Sequence, residues 1–247
     1  MILDFKDKIV IVTGGSRGIG AQMVRSFCEN GAIVHFTYKS SVKEANEIVN
    51  FCKTRIFAHK VDSCVPSEIE DFILKIGKEH TKIDVLVNNA GIVIRSLLAS
   101  LTEKDWTSSI NTNLRAPFLY CTKAIRYLRK SDYPSIINIS SVTADRASVG
   151  LGIYCATKAG LEALNKVLAL ELASYGIRTN TIAPGFIETE MSKNTSEEFK
   201  AKILSRTPLG RMGKTEEIAN VALFLASPLA SYVTGAQIYV TGGRHLE

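Results

Sequence analysis

Ile9-Val10-Ile11-Val12-Thr13-Gly14-Gly15-Ser16-Arg17-Gly18-Ile19-Gly20 decides the fold. Four β-branched residues make a short strand that is apolar on both faces. A glycine-rich turn follows, and then an amphipathic helix over Ile19–Asn30. Glycine lets backbone N–H groups approach a pyrophosphate, and a helix N-terminus adds favourable partial positive charge. A glycine-rich turn means little alone, but strand, turn and helix in this order are the context a dinucleotide loop needs. The candidate cofactor residues here are Gly14, Ser16, Arg17, Gly18, Ile19 and Gly20.

The same rhythm continues outward. Further short runs occur at Ile33–Thr37, Ile56–Ala58, Ile83–Val87, Ile136–Ile139, Thr179–Ile182 and Gln237–Val240. Between them lie helical patterns at Val42–Phe51, Pro66–His80, Glu103–Lys130, Tyr154–Tyr175, Ser196–Leu204 and Thr215–Ala226. Runs buried on both faces and separated by amphipathic helices predict an α/β fold with a parallel sheet of about seven strands covered on both sides. Gly31 and Gly176 stand where helices should stop. A length of 247 residues suits one domain spanning 1–247. Residues 184–214 break the rhythm with Pro184, Gly185, Pro208, Gly210 and Gly213 around one short helix, which suggests a substrate lid over about 186–212 rather than a decorative loop.

Bulk properties exclude several classes. The charge is +6, but Lys and Arg are dispersed without interleaved aromatics, so a solvated surface is favoured over nucleic-acid binding. No stretch approaches the ~20 apolar residues of a membrane span. Met1–Lys8 has no signal-like apolar run, so a cytoplasmic location is expected. The five cysteines are widely spaced and read as reduced thiols. Cys155 reads as a small apolar residue rather than a reactive one. His35, His59, His80 and His245 are scattered without metal-ligand spacing, so no metal is expected.

Tyr154 and Lys158 lie four apart on one predicted helix, hence on one face. A lysine ammonium near a phenol favours the phenolate and would lower its pKa from about 10 by roughly 1–3 units. Ser141, thirteen residues before the tyrosine, could hold a carbonyl oxygen beside it. After the second strand no acid appears until Glu44. A carboxylate there would accept from a ribose 2′-hydroxyl and repel a 2′-phosphate, whereas Lys39 and Arg17 would attract one. The cofactor expected is therefore NADP(H), with Lys39 and Ser40 in its site.

These motifs together resemble the short-chain dehydrogenase/reductase family. The T-G-x-x-x-G-x-G turn, Asn88-Asn89-Ala90-Gly91 after the fourth strand, Asn113, Ser141 with Tyr154 and Lys158, Pro184-Gly185, Thr234-Gly235 and Gly242-Gly243 fall in the family's order across essentially the whole chain. The resemblance implies a Rossmann-type doubly wound sheet and hydride transfer between a nicotinamide and a carbonyl. It makes Asn113, Ser141, Tyr154 and Lys158 catalytic: Tyr154 the proton donor, Lys158 its tuner and a ribose contact, Ser141 the carbonyl polariser, Asn113 the holder of a relay water. It adds Asp62, Asn89, Ala90, Gly91, Tyr154, Lys158, Pro184, Gly185, Ile187 and Thr189 to the cofactor site. Asp62 could equally be a turn former.

Within the family the stretches Ala183–Met191 and Tyr232–Gly235 are similar to reductases of 3-oxoacyl thioesters in fatty-acid synthesis. The implied substrate is an acyl thioester, with acyl carrier protein as a partner. Where carrier-dependent relatives often have arginine this chain has Asp132 and Tyr175, with Arg126, Arg129 and Lys130 nearby. A different alcohol or ketone substrate, and a non-catalytic NADP(H)-binding protein, are the competing readings. Ala156, Ala159, Gly160 and Ala163 form a small-residue stripe, which in the family builds a dimer contact within a homotetramer; burial of the stripe inside a monomer is the alternative.

Overall fold

Alternation along the first strand sorts the core into two layers. In the computed structural model, which describes residues 3–193 and 195–247, Val10 and Val12 face one cluster and Ile9 and Ile11 face the other. Met1, Ile2 and Asn194, the last inside the expected lid, lie outside the described residues. The first cluster gathers Met23, Val24 and Phe27 of α1 (Gly18–Glu29), Ala45 and Ile48 of α2 (Val42–Phe51), and Ile218, Ala222 and Leu225. The second gathers Ile69, Phe72, Ile73 and Ile76 of α3 (Pro66–His80) with Tyr120, Ala124, Leu128, Leu168 and Leu172. Each fully buried large apolar side chain contributes about 1.5–3 kcal/mol, and this two-sided burial is why the first strand, Ile9–Val12, carries apolar residues at every position.

The seven strands are β1 (Ile9–Val12), β2 (Ile33–Tyr38), β3 (Ile56–Lys60), β4 (Val85–Asn88), β5 (Ser135–Ile139), β6 (Arg178–Pro184) and β7 (Gln237–Val240). All pair in parallel in the order β3-β2-β1-β4-β5-β6-β7. The order reverses between β1 and β4, so a crevice opens at their carboxyl ends, where ligands of such sheets bind.

The expected Glu103–Lys130 helix is interrupted. It comprises α4 (Glu103–Ile110), a π turn over Asn111–Arg115, and α5 (Ala116–Leu128). Pro117 has no N–H to return to the Asn113 carbonyl, so the α-helical bond at that step cannot form and the backbone widens. The expected Tyr154–Tyr175 helix is α6 (Gly152–Leu172) followed by a tighter turn. Gly176 stops it at φ 70°, and Gly31 ends the α1 exit at φ 94°. The expected strand at Ile83–Val87 is shifted to Val85–Asn88, because Ile83 and Asp84 bond as a loop to Tyr127 and Ile9.

Residues 186–212 carry α7 (Glu190–Lys193) and α8 (Glu197–Leu204); only α8 was expected. Their excursion is pinned at its base. The Glu188 N–H donates to Gly213 O at 2.8 Å and the Gly213 N–H to Phe186 O at 3.0 Å, just before α9 (Thr215–Ala226). Among the described residues no helix is long and apolar enough to cross a membrane.

Candidate active site

The glycine turn is held from three sides. The Gly15 N–H donates to Thr37 O (3.0 Å), and the Gly14 N–H donates to Thr37 Oγ1 (3.2 Å). The Asn89 amide donates to both Thr13 O (2.9 Å) and Gly14 O (3.0 Å). Thr13 Oγ1 in turn accepts from the N–H groups of Asn89 and Ala90, each at 3.0 Å. Thr13, which opens the T-G-x-x-x-G-x-G turn, thus joins that turn to the Asn88–Gly91 motif. Gly20 is the tight point: a Cβ there would lie 2.2 Å from Gly14 O. The turn is thus a cradle stripped of side chains at the N-terminus of α1, which fits a pyrophosphate.

A cavity of about 860 Å³ runs from this cradle to Ser141, Tyr154 and Lys158. Gly14, Ser16, Arg17, Gly18, Ile19, Gly20, Lys39, Ser40, Asp62, Asn89, Ala90, Gly91, Ser141, Tyr154, Lys158, Pro184, Gly185, Ile187 and Thr189 all line it. Asn113 instead stands fully buried behind the wall. Its Oδ1 accepts from the Ile92 N–H (2.8 Å), and its amide donates to Ile92 O (2.9 Å) and Thr157 Oγ1 (3.2 Å). Gly91 is adjacent to both Asn113 Oδ1 and Lys158 Nζ, since a Cβ there would lie 3.3 and 3.6 Å from them.

In the same cavity Lys39 Nζ pairs with Asp62 at 2.8 Å. This holds the Asp62 carboxyl below its usual range against the opposing effect of burial. Asp62 Oδ1 also accepts from the Cys64 N–H at 2.9 Å, so it does form a turn. Among the described residues Arg17 makes no ion pair.

Ser141 stands two residues beyond the end of β5 and caps a short 3₁₀ turn over Val142–Ala144. Its Oγ accepts from the Thr143 N–H (3.2 Å) and Thr143 Oγ1 (2.9 Å), so its own proton is left to be donated outward. Tyr154 lies beside it, and the expectation that Lys158 lowers the phenol pKa is not met. Lys158 Nζ sits 5.6 Å from the Tyr154 ring centroid and donates to Ile139 O at 2.7 Å. Burial pushes the phenol above its ordinary value; the Ser141 hydrogen bond and the Arg95 charge pull the other way. Burial also pulls Lys158 down to about 8, with the Glu162 carboxylate opposing. Glu162 stands four residues beyond Lys158, a spacing legible in the sequence, and its Oε1 accepts from Ser140 Oγ at 2.5 Å.

Behind this group a buried polar ladder locks the sheet to α6. Asn88 donates to Asn138 (2.8 Å), and Asn138 donates to Asn165 (3.0 Å). Asn165 also accepts from Thr179 Oγ1 (2.7 Å). Elsewhere the structure overturns the reading of the histidines as scattered: His35, His59 and His80 adjoin one another. All five cysteines are free. The α6 stripe is not buried within the chain, since Ala156, Ala159 and Ala163 are exposed. Near its far end the Arg129 guanidinium stacks on the Tyr175 ring, 4.1 Å from the centroid.

Comparison with known proteins agrees with this geometry. The profile of a family described as "Enoyl-(Acyl carrier protein) reductase" matches residues 14–245. The chain belongs to the short-chain dehydrogenase/reductase family of oxidoreductases. It is 43% identical over 238 residues to 3-oxoacyl-[acyl-carrier-protein] reductase FabG of Chlamydia pneumoniae, covering 96% of each chain. Identity to the FabG of Escherichia coli strain K12 is 38% over 244 residues, covering 99% of this chain and 100% of that one. Among solved structures, a blue fluorescent protein from a metagenomic library in complex with NADPH superposes with a TM-score of 0.92 at 35% identity, covering 98% of this chain and 99% of that one.

Proposed function

We propose that this protein is an NADPH-dependent reductase of 3-oxoacyl thioesters, with acyl carrier protein as the carrier of the substrate. The observation that carries the reading is the meeting of Ser141, Tyr154 and Lys158 in the cavity that begins at the glycine cradle. NADPH, when bound, supplies a hydride to the 3-oxo carbon. Negative charge then develops on the carbonyl oxygen, and a positioned donor must meet it. The Ser141 O–H, its acceptor capacity taken up by Thr143, points a hydrogen bond at that oxygen. Tyr154, held protonated by burial, delivers the proton. Lys158, beside the phenol face, stabilises the charge left on it and is anchored by Ile139 O. Asn113 fixes the Gly91–Ile92 backbone against α6 and so sets the floor under Lys158.

The FabG relatives support the acyl substrate, and the NADPH-bound neighbour supports the phosphorylated cofactor. Lys39 and Arg17 are the cations placed for a 2′-phosphate, Lys39 being shared with Asp62. The exposed Arg126, Arg129 and Lys130 suit an acidic carrier. Arg129 resting on Tyr175 brings a cation beside a position where carrier-dependent relatives often have arginine. The pinned 186–212 segment serves as the substrate lid of one domain. The exposed small-residue stripe of α6 supports a homotetramer, and a cytoplasmic location belongs to the same reading.

The test is turnover by purified protein with NADPH and NADH, using an acetoacetyl thioester on coenzyme A and on carrier protein beside a panel of ketones and sugars. NADPH consumption with the thioesters is expected. A preference for NADH, turnover confined to ketones or sugars, or cofactor binding without turnover would overturn the assignment.

A further inference from the structure

Three of the four histidines, on three different elements, meet at the sheet edge beneath α3. His35 on β2 is 1% exposed. Its Nδ1 lies 3.0 Å from Nε2 of His59 on β3, and its Nε2 lies 2.9 Å from Nε2 of His80, the last residue of α3. The Glu79 carboxylate lies 3.5 Å from the same His80 nitrogen. We propose that His35, His80 and Glu79 form a binding site for a divalent transition-metal ion of the zinc type, with His59 as the partner that orients His35. No metal was expected from the spacing of these residues in the sequence.

The donor set has the required chemistry. Two imidazoles and one carboxylate, with a water in the fourth position, are a tetrahedral zinc set. One ligand atom from each of the three residues lies within 4.8 Å of the others. Two nitrogens on a tetrahedral ion with bonds of about 2.0–2.1 Å stand about 3.3 Å apart. The present 2.9 Å separation therefore needs to open by only a few tenths of an ångström. His80 can supply that shift, because its side chain and that of Glu79 reach the surface at 18% and 49% exposure, which also gives an ion a way in.

The outer partner is in place as well. A metal-bound histidine characteristically donates its other N–H to a neighbour that fixes the ring and its tautomer. When His35 Nδ1–H donates to His59 Nε2, the His35 Nε2 lone pair faces His80 and Glu79. Ligand imidazoles must be neutral, and burial pushes His35 down to about 3 and His59 down to about 4. The C-terminal end of α3 adds partial negative charge toward the ion. Lys75 opposes a cation, since its charge acts on both His35 and His59, and it weakens the site without occupying a ligand position. None of these residues lines the catalytic cavity, so the site stands apart from the proposed reaction.

The experiment is titration of the full chain, free of any histidine tag, with Zn²⁺ by calorimetry and with Co²⁺ by visible absorption. One ion per chain, ligand-field bands of a tetrahedral nitrogen–oxygen site and a raised thermal midpoint are expected. His80→Gln and Glu79→Gln, both at the surface, weaken binding by at least about tenfold, and His59→Gln by about 10–100-fold as the orienting partner. His245→Gln, away from the cluster, leaves it unchanged. Absence of saturable Zn²⁺ binding, or binding of equal strength in His80→Gln, overturns the proposal and leaves the three rings as a hydrogen-bonded relay.

Discussion

Thr13→Val tests whether the cofactor cradle and the strand-end motif are one unit. Thr13 is 2% exposed, and its hydroxyl accepts from the Asn89 and Ala90 N–H groups at 3.0 Å each. Valine fills the same space and offers no acceptor. Each buried donor left without a partner costs about 1–3 kcal/mol, so two cost about 2–6 kcal/mol. Asn89 and Ala90 are only half-buried, and water in the adjoining cavity offsets part of the loss. The expected destabilisation is therefore about 2–3 kcal/mol, at the low end of that range. Thr13→Ser keeps the acceptor and should cost less than about 1 kcal/mol. Urea unfolding of both variants beside the parent measures this, and NADPH titration reports whether the Asn89–Gly91 wall has moved. A Thr13→Val protein within about 0.5 kcal/mol of the parent, or a Thr13→Ser protein destabilised as much as it, refutes the coupling.

Three further outcomes are expected. Lys158 is held at about 8 rather than 10.5, so between those values the unfolded chain binds more protons than the folded one. This group accordingly makes stability rise with pH across that window, by up to about 1.4 kcal/mol per pH unit, and Lys158→Met should flatten the slope in unfolding measurements from pH 7.5 to 10. Arg17→Ala with Lys39→Ala removes the two cations proposed for the 2′-phosphate; the ratio of kcat/KM for NADPH over NADH should fall about 10–100-fold, and an unchanged ratio counts against that assignment. Asn138→Ala breaks the Asn88–Asn138–Asn165 ladder at its centre and should cost about 2–4 kcal/mol in denaturant unfolding, with near-parent stability counting against the ladder as a structural lock.

Much of this molecule is legible from residue patterns because its physics is local. Two-sided burial writes a strand as Ile9-Val10-Ile11-Val12, and the cradle writes itself as glycine at positions 14 and 20, where a Cβ would clash, and at 18, where φ is 54°. Tyr154 and Lys158 share one face of α6 because four residues make about one helical turn. What escaped depends on three-dimensional pairing. His35, His59 and His80 meet only because β2 pairs with β3 and α3 returns over that edge. The Lys158 ammonium turns to the Ile139 carbonyl, a partner that only the end of β5 supplies. Two local signals do stand in the sequence: Pro117, which forces the π turn at Asn113, and Glu162, four residues beyond Lys158.

Catalysis by Tyr154 is tested most directly by Tyr154→Phe, which removes one oxygen and keeps the ring. With saturating NADPH and an acetoacetyl thioester, kcat should drop by about 10²–10⁴-fold while the NADPH dissociation constant stays within about twofold of the parent. A variant that keeps more than about a tenth of the parental kcat would show that the proton comes from elsewhere.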